Sequence, residues 1–315
     1  MNEFLAKAAD HFTLALAGLM HAESAPRAPR SLEAKALLER ADFFTPEVAP
    51  AELVFSGEVD FTFRSPVPAD EAANRTVHGR LFRAGSSLAA RPAVVLVHGW
   101  NDEVGYHLRQ PAIARELNAR GLHCVMLELP YHMHRRPKAP PAIRDFISGD
   151  LAAMIGATHR AIAEHRAVFG FLEKAGCSRT GLWGYSLGGW LAGLLACHDS
   201  RVDSLVIGTP MCDIRATVEN LGFCRSVRES LRREPLDISA LNLTSHMPLV
   251  PLDRMLLYVG EHDRFIPADS LEALWQAWGR PERRIEPHSH MTILAPRRIL
   301  HATEDWLERK LIRRG

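Results

Sequence analysis

The chain has 315 residues, of which 47% are hydrophobic and 24% are charged, a composition typical of a soluble globular protein rather than a disordered or fibrous one. Its 38 Lys and Arg nearly balance its 37 Asp and Glu. Neither a basic arm nor an interleaving of basic and aromatic residues points to nucleic acid as a partner. No stretch reaches the roughly 20 apolar residues that cross a bilayer, so no membrane span is expected.

The cysteines and the N-terminus favour a cytoplasmic protein. The five cysteines are widely spaced and contain no C-x-x-C pair, which favours a reducing compartment. The apolar run from Phe12 to Met20 is short, and Glu3 and Asp10 stand where a signal peptide would carry positive charge. The oligomeric state is not defined by the sequence.

Two helices are predicted before the first strand. Apolar residues recur at helical spacing from Asn2 to Met20, and a second short helix is predicted from Ser31 to Arg40, with Pro26 and Pro29 between them. We expect residues 1–50 to form an N-terminal helical extension that packs on the main body. A role as a substrate lid is the alternative.

Strands and helices then alternate along the chain. Two antiparallel strands are predicted at Leu53 to Phe63 and Arg75 to Arg83. Short apolar runs of the kind that form parallel strands buried on both faces follow at Ala93 to Val97, Leu122 to Leu129, Thr180 to Gly184, Ser204 to Ile207 and Met255 to Val259. Helical patterns lie near His107 to Arg120, Gly149 to Ala175, Gly188 to His198, Asp269 to Trp278 and Arg297 to Ile312.

This alternation predicts an α/β domain over residues 51–315, with a mostly parallel twisted sheet covered by helices on both faces. Residues 214–253 break the alternation with mixed helical and proline-containing sequence. They are predicted to form an insertion that serves as a candidate lid.

One motif indicates a nucleophile. Gly184-Tyr185-Ser186-Leu187-Gly188 follows a predicted strand and precedes a predicted helix, as a G-x-S-x-G nucleophile elbow does. Glycine two residues before and two residues after the serine lets the helix begin close to the strand. A glycine-rich turn that only connects the two elements is the alternative interpretation.

Four motifs in chain order resemble those of the alpha/beta-hydrolase superfamily. They are Val94-Val-Leu-Val-His-Gly-Trp100, Gly184-Tyr-Ser-Leu-Gly-Gly189, Gly260-Glu-His-Asp263 and His290. The resemblance spans about Ala93 to Leu311 and is greatest to carboxylesterases and dienelactone-hydrolase-like enzymes. Dienelactone hydrolases use a cysteine nucleophile, so the serine at this position favours an esterase.

The resemblance implies a catalytic triad of Ser186, Asp263 and His290. Serine needs a neutral imidazole within hydrogen-bond reach, and the imidazole needs a carboxylate to orient it. Asp213, and more weakly Glu261, remain alternatives for the acid, and His288 remains an alternative for the base.

The resemblance also implies an oxyanion hole formed by the backbone amides of Leu187 and Trp100. Tyr131 and His132 follow a predicted strand at the edge where open α/β sheets bind ligands, and they are candidate substrate-binding residues. Arg135, Arg136 and Lys138 come next and could meet an acidic substrate group, although a solvated basic loop is the favoured interpretation.

The expected function is therefore hydrolysis of a small-molecule carboxylic ester through an acyl-enzyme, with no cofactor. The same triad can serve an acyltransferase, a thioesterase or a peptidase, and a hydrolase fold can also act as a non-catalytic binding module. The His288/His290 and His132/His134 pairs resemble metal-binding spacing, but neither has a clear third ligand, so no metal is expected.

Overall fold

Nine strands form one mixed sheet in the computed structural model, which describes residues 3–20, 30–137, 146–234 and 236–312. In chain order they are β1 (Val54–Ser56), β2 (Asp60–Arg64), β3 (Thr76–Phe82), β4 (Ala93–Val97), β5 (His123–Leu127), β6 (Thr180–Tyr185), β7 (Val202–Gly208), β8 (Met255–Gly260) and β9 (Glu282–Glu286). Their spatial order is β1-β2-β3-β5-β4-β6-β7-β8-β9. Strands β1 to β3 pair antiparallel, and β4 to β9 run parallel to one another. The predicted mostly parallel sheet is confirmed.

The described residues also form nine α-helices. They are α1 (Glu3–Met20), α2 (Ser31–Leu38), α3 (Gln110–Ala119), α4 (Leu151–Lys174), α5 (Leu187–His198), α6 (Ile214–Asn220), α7 (Arg225–Arg233), α8 (Ala268–Ala277) and α9 (Arg297–Leu311). A π-helical turn, Gly105–Arg109, leads into α3. None of the helices in the described ranges is both long enough and apolar enough to cross a membrane.

The central strands are buried on both faces, as the apolar runs predict. In β4, Ala93, Val95 and Val97 point into one core, which is shared with α4, α5 and α8. Val94 and Leu96 point into a second core, which is shared with α3 and α9. Successive side chains of a strand face opposite sides of the sheet, so one continuous apolar run supplies both cores. Helices therefore cover both faces of the sheet.

The N-terminal helices and the insertion join the first of these cores. Ala34 and Leu38 of α2 are buried against α4. Leu221, which directly follows α6, and Leu231 of α7 are buried in the same core. The described parts of the extension over residues 1–50 and of the insertion over residues 214–253 therefore pack in the same core as the sheet. That these two segments form separate structural units stays a proposal.

Two strand predictions differ from the structure. The segment predicted as one strand from Leu53 to Phe63 is a hairpin, because Gly57 adopts a positive φ of 84° and turns the chain between β1 and β2. The sequence analysis also missed β9. Its residues are Glu-Arg-Arg-Ile-Glu, and a strand at the sheet edge needs no apolar alternation, since charged residues protect the edge from pairing with other chains.

The expectation of a solvated basic loop is wrong for Arg135, whereas Lys138 lies outside the described residues. The guanidinium of Arg135 is fully buried and forms two hydrogen bonds of 2.6 and 2.7 Å with the carboxylate of Glu164 on α4. It also donates to the carbonyls of Glu128 and Asn74, at 2.7 and 3.2 Å. Ser65 donates to Glu164 at 2.7 Å. This cluster attaches the loop after β5 to the long helix on one face of the sheet.

We predict that Glu164→Gln lowers the free energy of unfolding by about 3–5 kcal/mol, because it leaves the buried Arg135 charge without its counter-ion. Glu229→Gln is the matched control, since Glu229 pairs with Arg225 on the exposed side of α7. An exposed pair is screened by solvent and contributes little to stability, so this variant should unfold close to the wild type. Urea unfolding of both variants measures the difference, and equal destabilisation would contradict the prediction.

Candidate active site

Ser186 occupies a strained turn between β6 and α5. Its backbone angles are φ 55° and ψ −120°, a region that residues other than glycine rarely adopt. Its amide donates to the carbonyl of Gly208 at 2.9 Å, and its carbonyl accepts the amide of Trp190 at 3.0 Å. These bonds to β7 and α5 hold the strained conformation. Backbone strain of this kind is concentrated at functional sites.

The two motif glycines are required by the closeness of strand and helix. A Cβ atom on Gly184 would lie 2.1 Å from the carbonyl oxygen of Gly188, and a Cβ atom on Gly188 would lie 2.2 Å from that of Val97. Both contacts are with backbone atoms, so neither can be relieved by a side-chain rotation. The G-x-S-x-G pattern is therefore explained by steric limits around Ser186.

Ser186, His290 and Asp263 form one hydrogen-bonded chain. The Nε2 atom of His290 lies 2.9 Å from Oγ of Ser186, and its Nδ1 atom lies 2.8 Å from Oδ2 of Asp263. The other carboxylate oxygen of Asp263 accepts the amides of Phe265 and Ile266 at 2.7 and 3.0 Å. With Nδ1–H donating to the carboxylate, the lone pair of Nε2 faces the serine hydroxyl. Such an arrangement can remove a proton from that hydroxyl.

Aromatic rings enclose the imidazole of His290. Phe265 stacks on it with ring centroids 4.5 Å apart, and Tyr185 lies on it at 5.0 Å in a tilted contact. Burial, together with the nearby charge of Asp263, holds the pKa of the Tyr185 phenol well above its usual range. Tyr185 therefore stays neutral and acts here as a packing partner. The rings restrict the rotation of the imidazole and keep it aligned between Ser186 and Asp263.

The alternative acid and base lie elsewhere. Asp213 caps α6, where its carboxylate accepts the amide of Ala216 at 2.9 Å and the side-chain amide of Asn242 at 3.2 Å. Glu261 bonds through its backbone amide to the carbonyl of Glu286 in β9. The structure brings His290 to Ser186, whereas His288 accepts the amide of His262 through its backbone carbonyl.

The loop after β4 lies beside the serine and is braced by His98. The imidazole accepts the amide of Leu129 on Nε2 at 3.0 Å, so its Nδ1–H donates to the carbonyl of Gly99 at 2.7 Å. Burial holds the pKa of His98 well below its usual range, which keeps this neutral form in place. Trp100 follows on the same loop, and its ring packs 5.3 Å from that of Phe223 in the insertion.

Leu187 is the first residue of α5. The first amides of a helix have no intrahelical acceptor, so this amide can serve a negatively charged oxygen beside Ser186. Leu187 thus lies at the start of α5, and Trp100 lies on the loop after β4. These two segments pack together at Gly188.

The candidate substrate-binding residues lie below the surface. Tyr131 is almost fully buried, has a φ of 64°, and donates its amide to Oδ1 of Asn74 at 3.0 Å. His132 is fully buried, with Nδ1 2.9 Å from the carbonyl of Pro130 and its ring edge-on to His98 at 4.8 Å. In this conformation the ring of His132 packs against the ring of His98. Tyr131 and His132 could contact a substrate only if the loop after β5 opened.

We predict that His132 makes the protein less stable in acid. Burial lowers its pKa to about 4, whereas an unfolded histidine titrates near 6.5. The unfolded chain therefore takes up a proton first, so the free energy of unfolding falls as the pH falls from about 6.5 to about 4. His132→Asn should reduce that fall by roughly 2–3 kcal/mol.

Urea unfolding at a series of pH values between 7 and 4.5 provides the measurement. His301→Asn is the control, since His301 is exposed on α9. An unchanged pH dependence in His132→Asn, alongside an unchanged dependence in the control, would show that His132 is not the source of the acid sensitivity.

The sequence analysis missed the contribution of Asp10. This residue of α1 is fully buried and accepts three backbone amides, those of Arg264, His290 and Met291, at 3.0, 3.1 and 3.0 Å. The sequence carries no signal for these bonds, because every residue other than proline has a backbone amide that can donate a hydrogen bond. An acidic residue on an amphipathic helix ordinarily indicates an exposed face.

Comparison with known proteins identifies the family. The model of the family described as alpha/beta hydrolase domain containing 18 matches residues 39–230, well over half of the chain. The chain belongs to this family. The matched region of this alpha/beta hydrolase contains the serine turn and the β4 loop. Asp10, Asp263 and His290 lie outside it.

The curated relatives include the uncharacterized protein Rv2627c of Mycobacterium tuberculosis strain H37Rv, which is 31% identical over 232 residues. That alignment covers 69% of this chain and 54% of the relative, so the chain spans about half the length of the curated relatives that it matches.

Solved structures share the alpha/beta-hydrolase fold. An acetyl xylan esterase from Paenibacillus sp. R4 is similar with a TM-score of 0.57 and 17% identity, over 92% of this chain and 99% of that chain. A cold-adapted esterase from an Arctic intertidal metagenomic library has a TM-score of 0.55 and 20% identity, over 84% of this chain and all of its own. At these identities the likeness establishes the fold alone.

The His-x-His pairs gain no third ligand within the described ranges, where no group of three or more His, Cys, Asp and Glu is placed to hold a metal. Instead, His134 lies 2.8 Å from the carboxylate of Glu128, and His132 packs on His98. These contacts account for the second histidine pair as a structural feature.

Proposed function

We propose that this alpha/beta hydrolase is a serine esterase that cleaves a small-molecule carboxylic ester through an acyl-enzyme. The observation that carries the proposal is the hydrogen-bonded chain from Ser186 through His290 to Asp263, with distances of 2.9 and 2.8 Å. It begins at a serine held in the strained turn that nucleophile elbows require. The esterases among the structural neighbours support the choice of an ester as the substrate.

In the first half of the reaction, Oγ of Ser186 attacks the ester carbonyl while Nε2 of His290 removes its proton. Collapse of the tetrahedral intermediate breaks the bond to the alcohol, which leaves with the proton held by His290. In the second half, His290 removes a proton from water as the water attacks the acyl carbonyl. Collapse of the second tetrahedral intermediate breaks the bond to Oγ of Ser186, which takes the proton back from His290, and the carboxylic acid is released. Asp263 stabilises the imidazolium formed in each half, and the amides of Phe265 and Ile266 keep its carboxylate in place.

The oxyanion of each tetrahedral intermediate is proposed to bind the backbone amides of Leu187 and Trp100. One such donor lowers the barrier by roughly 3 kcal/mol or more. The proposal is supported by the place of Leu187 at the start of α5, next to the serine, and by the packing of the β4 loop against Gly188. The bonds that brace His98 hold the Trp100 segment in place before any substrate arrives.

The insertion over residues 214–253 is proposed to border the substrate site. The ring of Phe223 in this insertion packs on the ring of Trp100 in the loop after β4. This contact joins the insertion to the segment that carries the proposed oxyanion-hole amide of Trp100.

We also infer a reducing compartment, most simply the cytoplasm. Cys124, Cys177, Cys197, Cys212 and Cys224 are all free thiols, and four of them are buried. Burial raises the pKa of Cys124 and Cys212 well above the usual range, so these thiols stay protonated and unreactive.

We predict that a fluorophosphonate probe labels the wild-type protein and that p-nitrophenyl esters, from acetate to decanoate, are hydrolysed. Ser186→Ala should abolish labelling. Ser186→Ala and His290→Gln should each lower kcat by about 10⁴-fold or more, and Asp263→Asn by about 10⁴-fold, because the imidazole would adopt the wrong tautomer. The acyl chain with the highest kcat/KM measures the length of the acyl pocket.

Asp213→Asn is the matched control, because Asp213 is the alternative acid of the sequence analysis and its carboxylate caps α6 instead. It should keep near wild-type turnover. A folded wild type that neither labels nor hydrolyses any ester would overturn the esterase proposal and favour a binding module.

Competing alcohols distinguish hydrolysis from acyl transfer. With an activated ester and added methanol or glycerol, an esterase should release mainly the free acid, since water reaches the acyl-enzyme. Product analysis by chromatography measures the ratio of acid to new ester. Transfer that outpaces hydrolysis at millimolar alcohol would identify an acyltransferase with the same triad.

A further inference from the structure

Asp10 links the N-terminal helix to both of the loops that carry the proposed acid and base. Its Oδ2 atom accepts the amide of Arg264 at 3.0 Å and the amide of His290 at 3.1 Å. Its Oδ1 atom accepts the amide of Met291 at 3.0 Å. One carboxylate therefore bonds the residue next to Asp263, the residue His290 itself, and the residue that follows it.

Asp10 connects the loop of Asp263 with the loop of His290. The hydrogen-bonded chain from Ser186 to Asp263 depends on the spacing of these two loops. Asp263 and His290 lie on different loops, after β8 and after β9, and are 27 residues apart in sequence. Their side chains must meet at 2.8 Å for the imidazole to be oriented. By taking amides from both loops on a single oxygen, Asp10 fixes the backbones of the two loops relative to each other.

Burial of Asp10 has a cost that packing alone would not justify. A carboxylate removed from water is strongly disfavoured unless it is paired or hydrogen-bonded. The three amides offset this cost, since hydrogen bonds to a charged acceptor are about twice as strong as those between neutral groups. An apolar residue at this position of α1 would pack on the body without that cost, but it would leave the three amides buried without an acceptor.

We propose that Asp10 is a positioning residue that aligns the acid and base loops, so that the N-terminal helix completes the active site. The inference rests on the proposed esterase function. Its consequence is kinetic, because a displacement of reacting groups by about 1 Å can cost 10²-fold in rate. Since Asp10 contacts loop backbones rather than a substrate, its loss should lower kcat much more than it changes KM.

The direct test compares Asp10→Asn with Glu3→Gln in the full chain, using the preferred p-nitrophenyl ester below the unfolding temperature of every variant. Asp10→Asn keeps the shape of the side chain but directs an amide group, or a neutral oxygen, at the three donors. Its kcat should fall roughly 10- to 100-fold, with KM changed less than about threefold. Glu3→Gln removes an exposed carboxylate that pairs with Lys7 on the same helix, and it should leave kcat unchanged.

Asp10→Glu adds a test of the carboxylate itself. It retains the charge with one extra methylene, and its kcat should lie between those of the wild type and Asp10→Asn. A folded Asp10→Asn with wild-type kcat would overturn the proposal, and so would an Asp10→Glu with the same kcat as Asp10→Asn. A role limited to stability would lower the melting temperature and leave kcat in the folded range unchanged.

Hydrogen exchange separates this proposal from the proposed function, because it does not depend on turnover. In the wild type, the amides of Arg264, His290 and Met291 should exchange slowly, and in Asp10→Asn at least about tenfold faster. Fast exchange in the wild type would overturn the role of Asp10, even if Asp10→Asn fails to fold. Slow exchange together with a wild type that hydrolyses no ester would retain the role of Asp10 in aligning the loops and remove only the esterase proposal.

Discussion

The site depends on the close approach of β6 and α5 around Ser186. Because backbone atoms leave no room for a Cβ at Gly184 or Gly188, the chain reverses direction within a few residues and holds the serine at φ 55°. Gly188 contacts the loop after β4, so the segment that carries Trp100 lies beside the serine turn. Parallel strands place the loops after β4, β6, β8 and β9 at one edge of the sheet, so the remaining groups of the site reach the serine from strands on both sides of β6.

The sheet could be predicted from the sequence because its central strands are buried on both faces. Runs such as Ala93 to Val97 are apolar at every position, a pattern that an exposed strand does not show. β9 could not be predicted, because none of its side chains is fully buried at the sheet edge and its four charged residues leave no apolar pattern. The hairpin was missed because an alternating pattern continues on both sides of the short turn over residues 57–59, in which Gly57 is the only residue typical of turns.

The site was less predictable than the sheet. The motifs placed an acid and a base on particular loops, but the choice between Asp213 and Asp263, or between His288 and His290, depends on which side chains meet across loops far apart in sequence. Asp213 follows a strand just as Asp263 does, yet it caps a helix. Asp10 could not have been found at all, because its partners are backbone amides more than 250 residues away.

The family match and the proposed chemistry rest on different parts of the molecule. Residues 39–230 contain the serine turn and the β4 loop, which are built mainly by strand packing and steric limits. The acid, the base and Asp10 lie outside that region and are aligned by charge-assisted hydrogen bonds. Such bonds depend on loop position, so in the proposed mechanism the N-terminal helix and the loops after β8 and β9 control the activation of Ser186, whereas the family match rests on the central sheet. Helix α1 and the loops after β8 and β9 thus meet beside Ser186, which the central sheet and α5 hold in place.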